Sequence, residues 1–105
     1  MSRMVICAFK PKLGKQDELV KVVAKHWNVL KSLGLVTDRE PYRMHATDGT
    51  IVEVFEWRSR EAIEQAHQNP VVLALWAEFE AACDYIPIGA VPESAQMFCE
   101  FQPLA

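Results

Sequence analysis

The sequence predicts an α+β fold in which one antiparallel sheet carries helices on one of its faces. Three observations lead to this prediction. The apolar run at residues 50–57 passes directly into Arg58-Ser59, where Ser59 is a good N-cap for a helix. Asp48-Gly49 separates two apolar runs, as in a β-hairpin. Asn69-Pro70 restarts a helix, because proline at the first helical position loses no hydrogen bond.

The first part of the chain predicts a strand followed by a helix. Residues 3–9 are apolar almost throughout, which favours a strand that is covered on both faces. Pro11 and Gly14 end it. Residues 15–33 predict a helix, since their apolar side chains recur at helical spacing. Gly34 is placed where a left-handed cap ends such a helix.

The rest of the chain predicts three more strands and one interrupted helical segment. Residues 41–47 and 50–57 are the second and third strands. One helix is expected from Ser59 to about Gln68, and the next one from Asn69 to Cys83. Residues 84–95 contain two prolines and a glycine and are expected to form a loop, while residues 96–102 alternate enough to form the last strand.

This order predicts a ferredoxin-like βαββαβ sandwich with an antiparallel sheet. The usual strand order of that fold, 4-1-3-2, would place Cys7 and Cys99 on adjacent strands. The helices can cover only one sheet face, yet the strands are apolar on both alternating faces. We therefore expect the second face to pack against another copy of the chain, forming a homodimer.

Composition limits the classes of protein to be considered. The 105 residues are half hydrophobic and predict a single globular domain over 1–105. The net charge of −3 gives no reason to expect nucleic acid, and no apolar run reaches the roughly 20 residues of a membrane span. The start of the chain lacks a signal-peptide layout, and the three cysteines fit no zinc spacing. We expect a cytoplasmic protein with reduced thiols.

Nearly the whole chain resembles the antibiotic-biosynthesis-monooxygenase-like (ABM-like) domains of the dimeric α+β barrel superfamily. The resemblance rests on the joint Trp57-Arg58-Ser59-Arg60-Glu61-Ala62, on the helix break from His67 to Asn69-Pro70, and on the final aromatic segment Phe98-Cys99-Glu100-Phe101. It implies a homodimeric barrel. Members include cofactor-free quinol monooxygenases, haem-degrading enzymes, isomerases and proteins of no known activity, so the resemblance is more specific for fold than for function.

The resemblance does not extend to the haem-degrading members. Their pattern of an Asn, a Trp and a His ligand falls here on Cys7, Ala66 and Trp76. An indole does not ligate iron as an imidazole does. The chain also lacks a glycine-rich dinucleotide turn and a metal-ligand spacing. We therefore expect no cofactor and no metal.

The resemblance to the cofactor-free monooxygenases indicates which residues of this chain could form the active site. Trp57 resembles the Trp that lines their quinol pocket, and Glu53 stands where some members carry an Asn. Their reaction needs a base that deprotonates a phenol or a hydroquinone in a dry pocket. His67 and Glu53 are the candidate catalytic residues, Glu53 on condition that it is buried, because burial makes a carboxylate a stronger base. His26 lies on the apolar stripe of the first helix and is interpreted as a satisfied core residue.

The expected substrate-binding set is aromatic, with one thiol and one further histidine: Trp57, Trp76, Trp27, Cys7 and His45. Three functional hypotheses remain. The first is a homodimer that binds an aromatic or quinone-like metabolite and oxidises it without a cofactor. The second is a non-catalytic dimeric binding or accessory domain. The third is an isomerase or cyclase that acts on a polyketide-like ring. A buried His or Glu at an open cavity favours catalysis, whereas a space filled by the three indoles favours the binding domain.

Overall fold

A computed structural model describes residues 1–104 of the chain. Five strands form one antiparallel sheet in the order β4-β1-β3-β2-β5. The elements are β1 (Arg3–Pro11), α1 (Gln16–Ser32), β2 (Tyr42–His45), β3 (Ile51–Trp57), α2 (Arg60–Ala66), α3 (Pro70–Ala82), β4 (Cys83–Ile86) and β5 (Gln102–Pro103). Two short 3₁₀ helices, Ile88–Ala90 and Pro92–Ala95, follow β4. In these 104 residues no helix is both long and apolar enough to cross a bilayer.

The helix ends lie where the sequence predicts them, because each cap is a local feature. The Ser59 hydroxyl accepts a hydrogen bond from the Ala62 N–H at 3.1 Å and begins α2. The Asn69 side chain accepts from the N–H groups of Val71 and Val72 and begins α3, with Pro70 in its first turn. Gly34 has φ +73° beyond the end of α1, a conformation that favours glycine.

The predicted hairpin joins β2 and β3, but its turn is longer than the two residues expected. The Ala46 N–H donates to the Thr50 carbonyl at 2.8 Å, so the loop consists of residues 47–49. Asp48 Oδ1 accepts from the Thr50 N–H at 2.9 Å, and Gly49 adopts φ +91°. The extra residue is accommodated by this left-handed glycine, as in three-residue hairpin loops.

The prediction of the last strand is wrong. The fourth strand, β4, is Cys83–Ile86 and pairs with β1, whereas residues 96–102 were expected there. Cys83 is already extended at φ −150° where α3 ends, so no linker separates the helix from the strand. The 4-1-3-2 order of the first four strands is kept, with a different segment as strand four. Cys99 is exposed outside any strand and β5 pairs with β2, so the expectation that Cys7 and Cys99 lie on adjacent strands is also wrong.

The two faces of the sheet are covered differently. Two core clusters fill the space between the sheet and the helices, around Phe9 and Val23 in one and around Phe55 and Leu30 in the other. On the outer face the C-terminal segment covers a smaller cluster that comprises Ala8, Ala46 and Val91 with Ile86, Ile88 and Phe101. At the other end of that face Met4, Ile6 and Tyr42 are 53%, 56% and 72% exposed. The doubly apolar strands predicted from the sequence are present, and the chain covers only part of their outer face.

Candidate functional site

A cavity of about 430 Å³ lies between the helix-covered face of the sheet and the helices. Its walls are mostly apolar and include Val5, Phe9, Phe55, Trp57, Trp76 and Phe79. The polar groups that line it are Cys7, His26, His67, Glu80 and Tyr85. An apolar cleft with a few polar groups is the usual form of a small-molecule site.

The structure brings some of the predicted site residues together and separates others. Trp57, Trp76, Cys7 and His67 all line the cavity. Trp27 is not among the lining residues and packs against the second core cluster. His45 lines two surface clefts elsewhere on the molecule. The three indoles therefore do not fill one common space.

Glu53 lies behind the cavity wall, and both of its carboxylate oxygens are engaged. The side chain is fully buried. Its Oε1 is 2.7 Å from Nδ1 of His26, and its Oε2 accepts a hydrogen bond from Nε of Arg43 at 3.2 Å. The guanidinium compensates the charge of the buried carboxylate, as a buried ion requires.

The hydrogen bond to Glu53 fixes which nitrogen of His26 carries the proton. An ionised carboxylate can only accept, so Nδ1–H of His26 must donate to it. In the neutral ring the lone pair is then on Nε2. That atom is buried and has no hydrogen-bond partner in residues 1–104. The sequence-based interpretation of His26 as a satisfied core residue holds for only one of its two nitrogens.

Packing holds the His26 ring in place. The ring meets Phe55 and Phe79 edge to face, with centroids at 5.3 and 4.8 Å, and Phe9 lies on a further side at 6.5 Å. These aromatic neighbours exclude water from the imidazole. A dry environment of this kind strengthens the interaction between His26 and Glu53.

The sheet register explains how Glu53 reaches its partners. Glu53 lies opposite Cys7 of β1 and opposite Arg43 of β2, and all three side chains belong to the helix-covered face. Burial, followed by the charge of Glu53, raises the pKa of the Cys7 thiol to about 12. Cys7 is therefore a neutral group in the cavity wall.

His67 is the second imidazole of the cavity and lies at its exposed side. Its Nδ1 is 2.8 Å from the Ile63 carbonyl oxygen, so Nδ1–H donates and the Nε2 lone pair remains available. The ring packs against Trp76 at a centroid distance of 4.9 Å and an interplanar angle of 66°. Tyr85 lines the same cavity, and burial raises the pKa of its phenol to about 12, so the hydroxyl is neutral near pH 7.

Within the part of the chain that the structure describes, no three His, Cys, Asp or Glu side chains are grouped so that they could hold a metal ion. No protein-family model matches the sequence, and no curated protein matches it. Among solved structures the chain is similar to SnoaB, a cofactor-independent oxygenase from Streptomyces nogalater. The TM-score is 0.67 at 15% sequence identity, and the match covers 81% of this chain and 86% of SnoaB.

The chain has the ABM-like fold. This confirms the ferredoxin-like α+β architecture that the sequence predicts. At 15% identity the likeness establishes the fold, and the chemistry must be argued from the residues of the cavity. The residues that line the cavity include His26 and His67, which provide two imidazoles.

Proposed function

We propose that this chain is a cofactor-independent oxygenase that removes a proton from a flat phenolic or hydroquinone substrate, so that the resulting anion reacts with O₂. One observation carries the proposal: a mostly apolar cavity contains two imidazoles, each with Nδ1 engaged and the Nε2 lone pair uncommitted. The likeness to SnoaB supports the proposal at the level of the fold.

The walls of the cavity suit an aromatic ligand. The indoles of Trp57 and Trp76 line it together with three phenylalanines. Ring-to-ring contacts add about 0.5–1.5 kcal/mol beyond the burial of apolar area. The exclusion of water strengthens the electrostatic interactions of a bound anion with neighbouring dipoles. We propose Trp57, Trp76 and Cys7 as contacts of the substrate.

The chemistry balances without a further reactant. An imidazole Nε2 takes a proton from an acidic C–H or O–H of the substrate, which leaves an electron-rich anion. The anion gives one electron to O₂, and the two radicals combine to form a peroxide. At a CH₂ group flanked by aromatic rings, the peroxide regains the proton from the imidazolium. Loss of the second C–H proton with hydroxide then releases water and leaves a carbonyl. One oxygen atom enters the product and the other enters water.

We also propose that the protein is a homodimer in which the outer sheet faces pack together. Met4, Ile6 and Tyr42 form an exposed apolar patch on that face. Met97 and Phe98 in the C-terminal segment are 91% and 81% exposed. A second copy of the same face covers apolar groups that one chain leaves in water. The three cysteines are unpaired, which agrees with the proposed cytoplasmic location.

Oxygen consumption tests the proposed function. The protein is mixed with a panel of hydroquinones and anthrone-like phenols in an oxygen-electrode chamber. We expect the wild type to exceed the buffer rate, and the His26→Gln/His67→Gln double variant to fall to it. His45→Gln removes the third histidine, which lies outside the cavity, and serves as the matched control. A wild-type rate equal to that of buffer contradicts the proposal for these substrates, and substrate conversion without oxygen uptake indicates an isomerase instead.

A further inference from the structure

We infer that His26 is the catalytic base of this cavity and that Glu53 and Arg43 are positioning residues that fix its tautomer and its charge. The inference rests on the proposed function, because it requires a substrate with an acidic proton in the cavity.

Three elements supply one continuous chain of charged and polar groups. Arg43 of β2 donates to Oε2 of Glu53 on β3 at 3.2 Å, and Oε1 of Glu53 lies 2.7 Å from Nδ1 of His26 on α1. Glu53 is 0% exposed and His26 is 4% exposed, whereas the Arg43 side chain is 26% exposed. The carboxylate of Glu53 thus connects the partly exposed guanidinium of Arg43 to the buried imidazole of His26.

The buried Nε2 of His26 lacks a hydrogen-bond partner within the described part of the chain, which destabilises the fold unless a ligand supplies one. Buried polar atoms nearly always have a hydrogen-bond partner, and an unpaired one destabilises the fold. His26 lines the cavity, and its ring is flanked by Phe55 and Phe79. In the proposed complex a substrate hydroxyl approaches Nε2 from the cavity. Catalytic hydrogen bonds of this kind often tighten only when the substrate is bound.

The two imidazoles of the cavity differ in what stabilises their protonated form. The Nδ1 of His67 bonds to the neutral Ile63 carbonyl, and the side chain is exposed. The Nδ1 of His26 bonds to an ionised carboxylate in a buried place. Proton uptake by His26 turns its hydrogen bond into an ion pair, and charge-assisted hydrogen bonds are roughly twice as strong as neutral ones. His26 is therefore the imidazole of the cavity whose protonated form can pair with a neighbouring carboxylate, and we assign the proton transfer to it.

In the proposed step His26 Nε2 forms a bond to the substrate proton, and the electrons of the broken bond stay on the substrate. The imidazolium returns this proton to the peroxide that forms with O₂, which restores the neutral ring. The titratable and charged groups around the site are Glu53, Arg43, Cys7, His67, Glu80 and Tyr85. Burial raises the pKa of both Cys7 and Tyr85 to about 12, so neither adds a charge near pH 7.

The test compares rate–pH profiles of four forms of the whole protein. The kcat/KM of the wild type rises with pH, because the base must be neutral. Glu53→Gln keeps an acceptor for Nδ1–H but removes the charge that stabilises the imidazolium, so the midpoint moves to lower pH. Arg43→Met leaves the carboxylate uncompensated, so the midpoint moves to higher pH. Glu40→Gln makes the same chemical change as Glu53→Gln at an exposed residue and leaves the profile unchanged.

Opposite shifts of the two variants are not expected from a loss of packing, which lowers the rate without moving the midpoint. His26→Gln is expected to lower kcat by about 10²–10⁴-fold, with folding checked by circular dichroism. If the wild type consumes oxygen while His26→Gln is as fast, or both midpoints stay unmoved, the inference is overturned and the proposed function stands. If no form exceeds buffer, both fail.

A readout without substrate keeps the inference testable if His26→Gln does not fold. Imidazole nitrogen NMR of the unliganded wild type should show His26 with its neutral-form proton on Nδ1 and an unprotonated Nε2. A His26 ring that carries its neutral-form proton on Nε2 overturns the inference, whatever the activity.

Discussion

Cys7 and Glu53 lie directly opposite each other on the antiparallel strands β1 and β3, and both face the helices. The pairing places a thiol beside a fully buried carboxylate at the wall of the cavity. Burial and the neighbouring negative charge both disfavour the thiolate, and they raise the pKa of Cys7 to about 12. Cys83 is buried, whereas Cys7 is partly exposed to the cavity, and burial raises the pKa of Cys83 to about 11.

These two thiols are expected to resist alkylation in the folded protein. The thiolate is the reactive form, and at about pH 8 an ordinary cysteine reacts readily. Iodoacetamide should label Cys7 and Cys83 only after unfolding in guanidinium, as read by peptide mass mapping. Native labelling of Cys7 at the rate of a free cysteine would contradict the raised pKa of this thiol.

Trp76 is expected to contribute to the binding of an aromatic ligand, whereas Trp27 is not. Trp76→Leu removes an indole that lines the cavity and should weaken binding by about 2- to 10-fold, which corresponds to the energy of one aromatic contact. Trp27→Phe changes an indole outside the cavity, whose buried Nε1 has no partner among residues 1–104. Calorimetric titration with a hydroquinone should separate the two variants. Equal losses of affinity would contradict the location of the binding site.

The elements of the fold were predictable where their signals are local. Ser59, Asn69-Pro70 and Gly34 act on their own helix ends, and each has the predicted conformation or hydrogen bond. β4 could not be recognised because Cys83 follows the last helical residue directly, so no turn residue marks the change. The segment beyond it contains prolines, which predict a loop.

The candidate site was predictable only in part, because its key contact is not local. Glu53 can be selected from the sequence because it is a charged residue in an apolar strand. Trp57 can be selected because it resembles the Trp that lines the pocket of the quinol monooxygenases. His26 and Glu53 are 27 residues apart, and their contact depends on how α1 packs on the sheet. A histidine on an apolar stripe has the same sequence pattern whether one or both of its nitrogens are bonded.

The proposed dimer should depend on the outer face of the sheet. Ile6 is 56% exposed there, and Ile6→Asp places a carboxylate from each copy within the contact. Burying unpaired carboxylates costs several kcal/mol. We expect the variant to sediment as an 11.9 kDa monomer and the wild type at twice that mass. Leu13→Asp is the matched control, since Leu13 lies in a loop and is fully exposed. A monomeric wild type at micromolar concentration would contradict the proposal.

Glu93 should make stability depend on pH in the acidic range. Its Oε2 accepts hydrogen bonds from the Thr47 N–H at 2.8 Å and from the Thr47 hydroxyl at 3.2 Å. The backbone bond is the main cause that holds the pKa of Glu93 below its usual value. When the pKa of a carboxyl group is lower in the folded than in the unfolded state, its charge stabilises the fold at pH values above the unfolded-state pKa, which is about 4.3 for Glu. This stabilisation is lost as the pH falls through the folded-state pKa.

Glu93→Gln keeps an acceptor oxygen and removes the charge. We expect a lower Tm than that of the wild type at neutral pH and a difference that shrinks below about pH 4. Thermal unfolding across this range measures it, with the exposed Glu100→Gln as control. A difference in Tm that is the same at every pH would rule out the charge as its cause.

The fate of oxygen-18 gas shows whether this protein transfers an oxygen atom from O₂ to a substrate. The protein is incubated under oxygen-18 with an anthrone-like phenol, and the labelled product is followed by mass spectrometry against buffer and the His26→Gln/His67→Gln double variant. We expect the wild type to form a product with one oxygen-18 atom well above the rate in buffer, and the double variant not to do so. Labelled product formed at the same rate in wild type, double variant and buffer would contradict it.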